Sequence, residues 1–204
     1  RHLLLMTREP AGDGDVTKRK YLCGHDERHW FVAAVPDKPG IKDVHDALDA
    51  LKPDTVLEAQ ESSGVRRKNW HRRRNPGYQR QGEWFFVPCP EFEPEDELRI
   101  RCNEPIQRSG STAHMVEKLY QVSAPTTVYV CPQYPHGVPE EEYLRIFDEE
   151  QGARRWPWRL MQRAGEVYAM GNVRHTDHKT IDLPFWHRVM MAEEPADSAV
   201  VFLD

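Results

Sequence analysis

"EVYAMGNVRHTDHKTIDLPFWHRVMM", residues 166–191, carries two strand-like runs around a short polar tip. "EVYAMGNVRH" leads in, "KTIDLPFWHRVMM" leads out, and the tip is His175 to His178. Thr-Asp at its centre suits a tight reversal, because Asp tolerates turn backbone geometry. The stretch predicts an antiparallel hairpin, and that choice shapes the reading of the segments around it.

Working outward, "TTVYVC" (126–131) is rich in β-branched and aromatic residues and reads as a strand. "EWFFVPC" (83–89) reads as a strand buried around Phe85 and Phe86, and Pro88 and Pro90 end it. "ELRIRC" (97–102) sets Leu98, Ile100 and Cys102 on one strand face. At the start, "RHLLLM" is a short strand and "TREPAGDGDVTKRK" a polar loop. "YLCGHDERHWFVAAVP" gives two strands about a turn at Gly24 to Glu27. "SAVVFL" (198–203) offers a last strand or tail, and "RRWPWRLMQ" (154–162) fits neither period.

Three segments have helical spacing. "IKDVHDALDALKP" (41–53) repeats Ile41, Val44, Ala47, Leu48 and Leu51, with Pro53 beyond its end. "STAHMVEKLYQV" (111–122) has Ser111 or Thr112 as cap and Met115, Val116, Leu119 and Tyr120 as a stripe. "PEEEYLRIFDEE" (139–150) has Pro139 and three glutamates at its start, where the helix dipole favours them. Strands outnumber helices, so the expected class is α+β: a mainly antiparallel sheet with about three covering helices. The 204 residues are expected to form a single domain, with a long basic loop at about 59–82.

With 39% hydrophobic and 30% charged residues, the chain can fill a core behind a highly charged surface. A net charge of -5 is not that of a protein coating nucleic acid, but it permits a local basic patch. No apolar run reaches the length of a membrane-spanning helix, and "HLLLM" is too short for a secretory core. Cys23, Cys89, Cys102 and Cys131 form no Cys-x-x-Cys pair, so free thiols in the cytoplasm are expected. The chain begins with Arg1 rather than Met, as a fragment or processed product does.

Two places can carry function. The first is the hairpin tip. His175 and His178 lie three apart in a turn, so both imidazoles can face one point, with Asp177 orienting one ring. Lys179 or Arg174 adds fixed positive charge, and His187 lies on the returning strand. Such a pair can serve as general acid and base on a phosphodiester or ester. The same residues can also be an idle turn. They can hold a divalent metal, but no zinc-site spacing supports one and no cofactor is implied. "CGHDERHWF" offers Cys23, His25 and His29 at a weak metal spacing and reads more simply as a charged turn.

The second place is "VRRKNWHRRRNPGYQR", residues 65–80. Arg66, Arg67, Lys68, Arg72, Arg73, Arg74 and Arg80 surround Trp70, His71 and Tyr78. Guanidinium forks grip phosphates and aromatic faces stack bases, which suits RNA or single-stranded DNA. The plainer reading is a solvated run neutralised by "EFEPEDE" (91–97). The leading expectation is therefore nucleic-acid or nucleoprotein binding through 65–80. A histidine-dependent nuclease or phosphodiesterase is the alternative, and a protein-binding accessory subunit without catalysis is the third reading.

Overall fold

A computed structural model of the chain describes residues 2–11, 15–108, 111–122, 126–150, 152–163 and 165–194. They form two compact units. One combines the described residues of Arg1–Leu119 and Tyr168–Asp204; the other lies within Tyr120–Val167.

The first unit opens with β1 (His2–Ala11), β2 (Asp15–Asp26) and β3 (His29–Val35), a three-stranded antiparallel sheet in that order. The Gly/Asp-rich stretch thus belongs mostly to two long paired strands. Helix α1 (Val44–Ala50) follows. It starts where Asp43 accepts the His45 and Asp46 amides while Asp46 reaches back to the Asp43 amide, a capping box. Its Ala47 and Ala50 bury against Leu22 and Val35 of the sheet, with Ile41 and Leu51 closing the cluster. This helix stands where the 41–53 periodicity predicts it.

Helix α2 (Asp54–Ser62) is not predicted, because only Val56 and Gln60 bury and its apolar stripe is faint. It occupies the start of the expected 59–82 loop. The rest of that segment holds a 3-10 turn over Arg67–Asn69 and the short strands β4 (Arg74–Asn75) and β5 (Tyr78–Gln81). Polar bonds organise it in place of an apolar period. Gln60 Nε2 donates to the Trp70 carbonyl, and Trp70 Nε1 donates to Asp49.

Then come β6 (Trp84–Pro88), β7 (Arg101–Ile106) and β8 (His114–Val122). The helix expected at 111–122 is corrected to β8. Met115, Val116, Leu119 and Tyr120 satisfy a helical stripe, but β7 pairs antiparallel with the segment, from Ile106 with His114 to Arg101 with Leu119. Sheet pairing overrides the local period. The 97–102 strand likewise shifts onward, and Glu97–Arg99 is a 3-10 turn with Leu98 exposed.

The second unit contains β9 (Thr126–Cys131), β10 (Tyr134–Val138), α3 (Glu140–Glu149) and β11 (Arg159–Arg163). Its three strands run in the order β10-β9-β11, and Tyr143 of α3 stacks on Tyr129 of β9 at 3.9 Å. Finally β12 (Glu166–Arg174) and β13 (Ile181–Met191) form the predicted hairpin. They sit inside a seven-stranded sheet ordered β4-β5-β6-β13-β12-β8-β7. The α+β class and the mainly antiparallel pairing are as the sequence implies. "SAVVFL" lies outside the described residues. All four cysteines are free. Among the described residues no helix is long and apolar enough to cross a membrane.

His187 is a core residue of β13, 2% exposed, donating Nδ1–H to the Phe185 carbonyl at 2.8 Å. Burial holds its pKa below the ordinary histidine value, outweighing that carbonyl. Below about pH 6.5 the unfolded chain binds a proton that the fold resists, so stability is present above that pH and lost on acidification. Urea unfolding followed from neutral pH downward is expected to show falling stability, with a shallower fall in His187→Gln. An unchanged slope in the variant contradicts this.

Candidate functional site

The turn after β12 brings His175 and His178 to one rim of the seven-stranded sheet, and β8 delivers His114 to the same point. Ring centroids lie 4.2 Å apart for His114 and His175, 4.7 Å for His175 and His178, and 5.7 Å for His114 and His178. One nitrogen from each falls within 4.8 Å of the others.

The tip is held from two sides. Gln81, buried in β5, donates Nε2–H to the carbonyls of Val173 and Lys179, which straddle the turn. Glu27, at the β2–β3 turn, accepts the Lys179 amide at 2.7 Å and lies 3.6 Å from His178 Nδ1. Next to Gln81, Gly82 has φ +58, and a Cβ there would lie 3.2 Å from Nε2 of both His114 and His178. Glycine therefore serves both the left-handed backbone and the open space between the two rings.

The electrostatics favour uncharged imidazoles at His114 and His178. Burial, reinforced by the neighbouring His175 and His178, pushes the His114 pKa down to about 3. Burial likewise lowers His178, with His175 next in effect and Glu27 opposing. His175 Nδ1 accepts the Asp177 amide at 3.1 Å, so a neutral ring carries its proton on Nε2. Asp177 also lies 3.5 Å from His29.

Several polar atoms here are buried with no hydrogen-bond partner: His114 Nδ1, His178 Nδ1, Glu83 Oε1 and Trp84 Nε1. Buried polar groups are normally paired, so such a concentration marks a place built for something else. Glu83 Oε2 lies 3.8 Å from His114 Nε2. The three histidines line a cavity of about 770 Å³, a size that admits a small molecule or a nucleotide-sized group. Arg28, Arg80, Arg108 and Lys52 also line it, and so do Asp26, Glu83, Asp177 and Glu194. Arg80 donates to the Gly82 carbonyl at 2.7 Å, and Arg108 pairs with Glu194.

The sequence-predicted residues divide sharply. His175, His178 and Asp177 meet at the site. Lys179 is exposed and does not line the cavity; its backbone is what the tip uses. Arg174 bonds Asn103, and His187 is elsewhere in the core. Cys23 and His25 do not join the three-histidine group. His114 and Glu83 are not found by sequence reading; the one signal for His114 is its place two residues before Val116 in an alternating strand.

In the 65–80 segment, Arg66, Arg67, Lys68, Arg72 and Arg74 are exposed. The other members are built into the fold. Tyr78 is 2% exposed and packs edge-on against Phe85. Arg73 pairs with Asp26 and Glu27, not with residues 91–97. Trp70 is half-buried, and His71 lies against His45 and lines the cavity.

Comparison with known families, curated proteins and solved structures finds no match to this chain.

Gly82→Ala forces a side chain into a positive-φ position and against two histidines. A loss of about 1–2 kcal/mol is expected from the backbone alone. Urea denaturation measures it, and the His114 and His178 ring resonances should shift together. Wild-type stability with unmoved resonances contradicts the packing described.

Proposed function

We propose that this chain is a histidine-dependent hydrolase acting on phosphodiesters. The observation that carries the reading is the convergence of His114, His175 and His178 on the wall of a cavity that four basic and four acidic side chains also line. An imidazole at the tip, His175 or His178, can take a proton from water and return it to a leaving oxygen. Arg80, which lines the cavity, supplies positive charge for a phosphate whose negative charge grows as the attacking oxygen bonds. Four free thiols suit a reducing compartment such as the cytoplasm.

The basic segment supports a polyanionic substrate. His71 lines the cavity, while Arg66, Arg67, Lys68, Arg72 and Arg74 stand exposed on the same stretch of chain. A phosphate backbone held there can run toward the histidines, so RNA or single-stranded DNA is the favoured substrate class. Base stacking contributes less than the sequence alone implies, since Tyr78 is inaccessible.

The test is hydrolysis of bis(p-nitrophenyl) phosphate and of single-stranded RNA and DNA, with and without added divalent metal. His175→Ala and His178→Ala are each expected to lower kcat at least about 100-fold while the fold is retained. Arg66, Arg67 and Lys68 changed together to Gln should raise KM for the polymer, leave kcat near its parent value and weaken the salt dependence. A parent inactive on every phosphodiester, or full activity in the histidine variants, overturns the reading.

A further inference from the structure

We propose that His114, His175 and His178 form a tripodal site for one divalent transition cation of the zinc class, with Glu83 beside it. The inference rests on the hydrolase reading for its chemistry and makes the histidines ligands, with Glu83 in place of an imidazole as proton carrier, but the binding claim stands on its own geometry.

Three imidazole nitrogens suit this class of cation, whereas calcium and magnesium prefer oxygen. Zinc–nitrogen bonds of about 2.0–2.1 Å put tetrahedral ligand atoms about 3.3 Å apart. The three histidine nitrogens already lie within 4.8 Å of one another, so closing to that spacing takes movements of an ångström or two. Nε2 of His114 and of His178 flank the space that Gly82 leaves open, each 3.2 Å from where a Cβ would stand. His114 is 1% exposed and its Nδ1 has no hydrogen-bond partner. A buried polar ring in that condition is destabilising unless a ligand reorganises the site.

One neighbouring carboxylate resembles the outer support that metal-bound histidines require. Glu27 lies 3.6 Å from His178 Nδ1, on the ring edge away from Gly82. Ligation by His175 displaces the Asp177 amide from that ring or removes its Nε2 proton, and this is the rearrangement that binding demands.

Three protein ligands leave a fourth position for water, the arrangement of a catalytic rather than a structural zinc. The cation acidifies that water, and Glu83, whose Oε1 is buried and unpartnered, takes its proton. The resulting hydroxide attacks phosphorus, the phosphorus–oxygen bond to the leaving group breaks, and the leaving oxygen receives the proton from Glu83. One water and one diester yield one monoester and one alcohol.

The experiment is calorimetric titration of the chelator-treated full chain with zinc chloride, with cobalt(II) absorption reporting ligand geometry. One equivalent is expected to bind, with a visible spectrum of low-coordinate cobalt. His178→Gln and His175→Asn should each weaken zinc by more than the about 100-fold that outer-shell changes cause. Both positions are less buried than His114, and circular dichroism verifies that the variants fold. Glu83→Gln should keep zinc binding and lose hydrolysis. No saturable binding to the parent, or parental affinity in both histidine variants, overturns the metal site. Stoichiometric binding without any hydrolysis upholds the site and overturns the hydrolase reading. Hydrolysis by a parent that binds no zinc overturns the metal site and leaves the hydrolase reading standing.

Discussion

Gln81 holds the histidine tip in place. Its side-chain amide bridges the carbonyls of Val173 and Lys179, which lie before and after the turn that carries His175 and His178. Both bonds are buried or nearly so, and a lost partner there would strand carbonyls away from water at about 1–3 kcal/mol each. The clamp is completed across the chain by Glu27, which accepts the Lys179 amide. A hairpin tip is ordinarily the least constrained part of a sheet. Here it is fixed at both ends, and fixed imidazoles can share one point with a third from β8.

The four residues Gln81, Gly82, Glu83 and Trp84 therefore do most of the assembly. Gln81 ties the tip. Gly82 turns the chain with positive φ and leaves the gap between His114 and His178. Glu83 brings a carboxylate oxygen to 3.8 Å from His114, and the Trp84 ring lies edge-on to the same imidazole at 6.5 Å. A buried site with this many unpartnered polar atoms is destabilising on its own, and the packed strands on either side must offset it. Such concentrations of local cost are found where a protein binds or reacts.

Much of the fold was legible from periodicity. The β12–β13 hairpin, β6, β9, α1 and α3 all have patterns that their burial obeys. β8 was not legible, because Met115, Val116, Leu119 and Tyr120 fit a helix as well as a strand, and only pairing with β7 decides. α2 and the segment after it were hidden for another reason: Gln60, Trp70 and Asp49 organise them by hydrogen bonds, which leave no hydrophobic period. The site was half legible. Three of its residues lie within four positions, at 175, 177 and 178, and local spacing reveals them. His114 and Glu83 arrive from strands far away in sequence, and only sheet order brings them in. The basic run shows the opposite limit: its composition suggests one exposed surface, yet Tyr78 is core and Arg73 is committed to acidic partners.

The claim on which all of this rests is that three imidazoles from β8 and the hairpin tip meet in the metal-free chain. Nuclear Overhauser spectra of protein protonated only at histidine, in a deuterated background, measure that directly. The expected result is a set of ring-proton cross-peaks joining His114 to His175, His175 to His178 and, more weakly, His114 to His178, in the order of their 4.2, 4.7 and 5.7 Å separations. A His114 ring with no cross-peak to either tip histidine contradicts the account.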